Sequence, residues 1–181
     1  MEQDVRFCEL DGRRIAYASV GEGPLLLFSG RWVSHLEEEW EDRRARSFYE
    51  QLAESHRVVR YDRLGVGLSD RTLPGPPTPA GEALQLEAVL DACGGEPATV
   101  FACSCAGLAT SRFASESPDR VRKVVFFGGY ASRDDIPEAT RRSGTPRGST
   151  PACNSRSRWP WPRAWRRTAT TAASSPACLC R

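Results

Sequence analysis

Along its first 130 or so residues the chain alternates short β-branched or aromatic runs with segments whose apolar positions recur at helical spacing. Residues 5–10 (V-R-F-C-E-L) and 14–19 (R-I-A-Y-A-S) read as two strands around an Asp11-Gly12 turn, the sequence signal of a hairpin. After a second turn at Gly21–Pro24, Leu25–Phe28 is a continuous apolar run, which suits a central strand covered on both faces. Phe48, Tyr49, Leu52 and Ala53 have helical spacing, and Val58–Tyr61 reads as another buried strand. In Pro79–Ala92 the residues Ala83, Leu86, Val89 and Leu90 form one helix face, which Gly94-Gly95 ends. Thr99–Cys103 is predicted as a strand, Cys105–Ser115 as a helix rich in small residues, and Val121–Phe127 as a further strand. Strands alternating with helices imply an α/β fold, its mostly parallel sheet having helices on both faces.

The pattern stops near Gly144. From Thr145 to Arg181 there are seven arginines and no Asp or Glu, and Leu179 is the one residue among Leu, Ile, Val, Phe and Met. The net charge of +2 therefore averages an acidic first part and a basic last part. Such a segment buries too little apolar surface to offset its ordering entropy. The division expected is a domain over residues 1–143 and a disordered tail over residues 144–181. The remaining composition, 40% hydrophobic and 27% charged, is ordinary for a soluble globular protein. No apolar run is long enough to span a bilayer and no secretory signal is visible, so no membrane partner is expected. Seven irregularly placed cysteines fit reduced thiols in the cytoplasm better than a disulfide framework. The pairs Cys103/Cys105 and Cys178/Cys180 lack the companions of a zinc site, so no metal and no cofactor are expected.

The chemistry concentrates at Ala98–Ala106 (A-T-V-F-A-C-S-C-A), a strand-forming run that stops at a serine fenced by small residues. Ser104 would stand on a tight strand-to-helix turn with its Oγ lifted off the sheet. Taken alone, a serine there reads better as the cap of the following helix. Asp62–Asp70 (D-R-L-G-V-G-L-S-D) is glycine-rich but lacks the third glycine and the Lys-Ser/Thr of a phosphate loop. From its residues it reads as turn-like.

Four features stand in one order: the opening hairpin, the strand and loop at Leu25–Trp32, Asp62-x-x-Gly-x-Gly-x-Ser69, and the elbow at Ser104. In that order the sequence resembles the N-terminal part of α/β-hydrolase-fold proteins over residues 4 to about 135. It departs from the family in carrying Ala102 and Ala106 for the elbow glycines, and Ser29-Gly30 for the His-Gly of the oxyanion loop. The resemblance implies that Ser104 is the nucleophile, with the backbone N–H groups of Cys105 and Arg31 as oxyanion donors and Trp32 the next candidate. A serine disfavours the branches that use an aspartate nucleophile. It implies an esterase-like hydrolase acting on a small-molecule ester, lactone or related compound.

The family's triad histidine follows the nucleophile, whereas His35 and His56 both precede Ser104. Neither is a good base, and Asp134 or Asp135, where some members place the triad acid, would have no imidazole to orient. The chain is therefore expected to be truncated after about its sixth strand, catalytically inactive, and to carry a tail like the product of a frameshift. Two alternatives stand beside that reading. One is an interaction module, and the other a non-catalytic binder that uses seven arginines with Trp159, Trp161 and Trp165 to hold nucleic acid. Out-of-frame GC-rich coding gives the same composition, so nucleic acid is not the expected partner. The sequence leaves the oligomeric state open.

Overall fold

The computed structural model describes residues 1–130. Six strands form one mixed sheet: β1 (Asp4–Leu10), β2 (Arg13–Val20), β3 (Leu25–Phe28), β4 (Arg57–Tyr61), β5 (Ala98–Cys103) and β6 (Val121–Phe127). Their order is β1-β2-β4-β3-β5-β6. The β1–β2 and β2–β4 pairs are antiparallel, and β4, β3, β5 and β6 run parallel. Asp11 (φ 52°) and Gly12 (φ 73°) make the hairpin turn, since both central residues of such a turn need positive φ.

The helices are α1 (Leu36–Glu41), α2 (Arg43–Ala53), α3 (Pro79–Ala92) and α4 (Ala106–Glu116). Alternation along β3 divides the core. Leu25 and Leu27 pack with Leu86, Val89 and Leu90 of α3 and Phe113 of α4 on one face. Leu26 and Phe28 pack with Tyr49 and Ala53 of α2 on the other. Thr78 caps α3 by accepting from the Gly81 N–H at 3.1 Å, with Pro79 opening the helix. The N–H of Gly95 closes that helix by donating to the Leu90 carbonyl at 3.0 Å.

The acidic stretch after His35 holds a short helix that its apolar pattern does not announce. In α1, Leu36 alone is buried, and the helix starts because His35 and the backbone supply its caps. Tail, domain boundary, Asp134, Asp135, Cys178 and Cys180 lie outside the described residues.

Candidate active site

The chain leaves β5 at Cys103 and turns at once into α4, and Ser104 takes up the reversal with φ 55°. That left-handed conformation costs a residue with a Cβ about 1–2 kcal/mol, so something must hold it. The Ser104 N–H donates to the Phe127 carbonyl at 3.1 Å, and the Gly107 N–H donates to the Ser104 carbonyl at 3.2 Å. Ala102 and Ala106 are both 0% exposed, which leaves no space there for a larger side chain. A Cβ on Gly107 would stand 2.3 Å from the Tyr130 carbonyl oxygen, and one on Gly129 would stand 3.0 Å from that of Ser104. The turn is thus wedged between α4 and the exit of β6. Ser104 itself is exposed, and no side chain caps α4, so its hydroxyl is not spent on the helix.

The loop after β3 lies against this turn. The Ser29 N–H donates to the Phe101 carbonyl at 2.9 Å, tying the loop to β5. Gly30 has no room for a side chain, since its Cβ would fall 2.5 Å from Cγ of Arg63 and 2.8 Å from the Tyr61 ring. Burial pushes the Tyr61 hydroxyl up to about 12, although the Gly30 amide and Ser29 hydroxyl bond to it. Burial also pushes the Cys105 thiol up, while Arg63 and the Trp32 amide pull it down. The residue after Ser104 and the Ser29–Trp32 loop are therefore neighbours. The Arg31 side chain pairs with Glu39, whose second oxygen takes Arg60 at 3.1 Å and the Tyr49 hydroxyl at 3.3 Å.

Beneath the loop, the Asp62 carboxylate is fully buried and accepts three bonds. They come from the Ser34 hydroxyl (2.6 Å) and the amides of Leu36 (3.2 Å) and Leu68 (2.9 Å). A Cβ on Gly67 would stand 1.9 Å from that carboxylate, so only glycine lets the loop close over it. Ser69 donates to the Asp62 carbonyl at 2.5 Å and accepts from the Ala16 N–H at 2.9 Å. The glycine-rich loop is thus bound up internally and to β2.

The structure brings Ser104, Cys105 and the Arg31–Trp32 segment together, and neither histidine joins them by a bond. The His35 ring caps α1, its Nδ1 accepting from the Glu38 N–H at 3.4 Å. His56 is half-buried, with Nδ1 2.9 Å from the Ser55 hydroxyl. It precedes β4, at the opposite end of the parallel strands from Ser104, roughly 20 Å away at the usual rise per residue. Sequence reasoning missed Arg63 and its partner Glu82, because a charge in a glycine-rich segment reads as solvent-facing. Among the described residues no cluster of His, Cys, Asp and Glu could hold a metal ion.

The model of the alpha/beta hydrolase fold family matches residues 23–176. The chain belongs to the alpha/beta hydrolase fold family. Over 85 residues it is 36% identical to a protein of Azorhizobium caulinodans named "Putative carbamate hydrolase RutD", which is 47% of this chain and 32% of that one. The chain thus spans about a third of the length of that curated relative. A hydrolase from Pseudomonas aeruginosa superposes with a TM-score of 0.60 at 28% identity, over 70% of this chain and 46% of that one. Est816, described as an N-acyl homoserine lactone degrading enzyme, gives 0.59 at 25% identity, over 68% and 45%. No helix among the described residues is long and apolar enough to cross a membrane.

Proposed function

We propose that the family site of this chain is a serine-nucleophile site for acyl hydrolysis, and that the 181-residue chain does not turn over. The observation that carries the nucleophile is Ser104 itself: exposed, at φ 55°, between a parallel strand and a helix that no side chain caps. In this reading Ser104 Oγ attacks a carbonyl carbon, and the amides of Cys105 and Arg31 receive the negative charge that forms on the carbonyl oxygen. The α4 N-terminus adds its positive end to the same point.

Attack also needs a base for the hydroxyl proton, and no histidine follows Ser104 in the chain. Of the two that precede it, one caps α1 and the other lies at the far end of the sheet. The substrate class is a small molecule whose carbonyl carries an oxygen or nitrogen leaving group: an ester, a lactone or, by likeness to the relatives, a carbamate. Cytoplasmic residence is part of the same reading, supported by the reduced thiols of Cys8, Cys93 and Cys105.

The test is hydrolysis of p-nitrophenyl acetate by the intact chain beside Ser104→Ala. Equal rates are expected. Turnover that Ser104→Ala abolishes would overturn the inactivity and require a base among the residues present.

A further inference from the structure

We propose that Arg63 is a positioning residue for the Ser104 site, holding the Ser29–Trp32 loop against the residue that follows the nucleophile. The inference rests on the reading of Ser104 as nucleophile. Four observations carry it. Arg63 is 6% exposed, an uncommon place for a guanidinium unless its donors are used. Its Nη2 donates to the Trp32 carbonyl at 3.1 Å, and the guanidinium lies over the Trp32 ring, 4.9 Å from its centroid. Its Nη1 pairs with Glu82 of α3, which anchors the head group to the helix layer. Its stem fills the space that a side chain on Gly30 would need, with Cγ 2.5 Å from that point.

Arg63 therefore touches both ends of the loop, at Gly30 and at Trp32, with Arg31 between them. Its charge also reaches the Cys105 thiol on the neighbouring turn. A planar fork can serve a carboxylate on one arm and a carbonyl on the other while its face stacks on an indole; an ammonium can hold the charge but not the stack. The amide of Arg31 can serve an oxyanion only while the peptides on either side of it are fixed. Arg63 is the side chain placed to fix them.

The test compares Arg63→Met, Arg63→Lys and Glu82→Gln with the wild-type chain in two assays. The first is alkylation of individual thiols by iodoacetamide, read by peptide mass spectrometry. Arg63→Met is expected to lower the rate at Cys105 severalfold at neutral pH, because the guanidinium favours the thiolate that reacts, while buried Cys93 keeps its rate. Arg63→Lys should fall between, and Glu82→Gln, which leaves the guanidinium in place and removes a charge that opposes the thiolate, should not lower the rate. If Cys93 and Cys105 rise together in all three variants, Arg63 is merely structural and the proposal is overturned.

The second assay is phosphonylation of Ser104 by a fluorophosphonate ester at alkaline pH. There the Oγ–P bond forms, fluoride leaves, and hydroxide takes the serine proton to become water, so no histidine is needed. Arg63→Met is expected to slow this by about 10²-fold, the loss typical of one oxyanion donor. An unchanged rate beside a lowered Cys105 rate would overturn the positioning role and leave Ser104 as nucleophile. Failure of the wild-type chain to label at Ser104, with the Cys105 response intact, would instead overturn the nucleophile reading on which the proposal rests.

Discussion

The backbone N–H of Ser104 donates to the carbonyl of Phe127 across 3.1 Å, so the strand next to β5 shares with the first turn of α4 the work of holding the serine at φ 55°. Strain at the turn is offset by pairing in the sheet, and the side chain is left free of structural duty. Ser104→Gly should therefore stabilise the chain by about 1 kcal/mol, since glycine adopts this conformation without the Cβ penalty. Ser104→Ala keeps the Cβ and should not. Urea denaturation of the three chains measures this. A Ser104→Gly midpoint at or below that of Ser104→Ala would show that the turn is unstrained.

Two glycines of the site are there for lack of space. Gly107 faces the Tyr130 backbone, where a Cβ would stand 2.3 Å from an oxygen. Gly30 is closed in by Tyr61 and Arg63. Overpacking of this kind costs about 1–3 kcal/mol, so Gly107→Ala and Gly30→Ala should both lower the urea midpoint. At Gly107 the obstacle is backbone, which yields less than the flexible stem of Arg63, so Gly107→Ala should be the worse of the two. The reverse ranking would place the rigid element on the loop side.

The sheet and its helices were legible because the burial pattern is written in side-chain periodicity. All four residues predicted to face the core from α3, Ala83, Leu86, Val89 and Leu90, are buried. The limits of β3, α3 and β6 coincide with the predicted runs, since Gly, Pro and charged residues bracket them. Other parts of the site have no period. Arg63 looks like a surface charge in sequence, and only the fold brings Glu82 from α3 and Trp32 from the β3 loop to it. Gln85 sits on the buried side of α3 because its Oε1 accepts from the Leu64 N–H at 2.8 Å, a partner 21 residues away. Contacts of that kind follow from topology and leave no mark on local spacing.

Alkaline pH should find Tyr61. Its hydroxyl ordinarily titrates at 10.0 and burial raises it to about 12 in the folded chain. Below pH 10.0 both states hold the proton and this group leaves stability unchanged. Above it the unfolded chain releases the proton first, so stability falls until the folded hydroxyl titrates, by about 3 kcal/mol in all. The Cys93 thiol, raised from 9.0 to about 11, acts in the same sense one unit earlier, so the comparison belongs in a Cys93→Ala background. There, Tyr61→Phe should start lower at neutral pH, having lost its bonds to Gly30 and Ser29, yet show a flatter decline above pH 10.0. Parallel declines in thermal melts across that range would show that the hydroxyl is not held protonated by burial.

Strand β6 carries the last prediction. Its inner side pairs with β5, Phe101 opposite Val125 and Ala102 opposite Phe126, and among the described residues no strand pairs with its outer side. Val125 is 42% exposed and Phe126 44%, one on each face of an edge strand. Apolar side chains on a strand that ends the sheet among the described residues invite a second strand, and the charges that oppose this are Arg122 and Lys123 at the start of β6. Phe126→Lys adds a charge where little burial is lost, so it should reduce light scattering on concentration while leaving the melting temperature nearly unchanged. Replacing Arg122 and Lys123 with threonine should raise scattering, because threonine suits a strand and removes the repulsion. If scattering follows the melting temperature in both variants, aggregation proceeds from the unfolded chain and not from this edge.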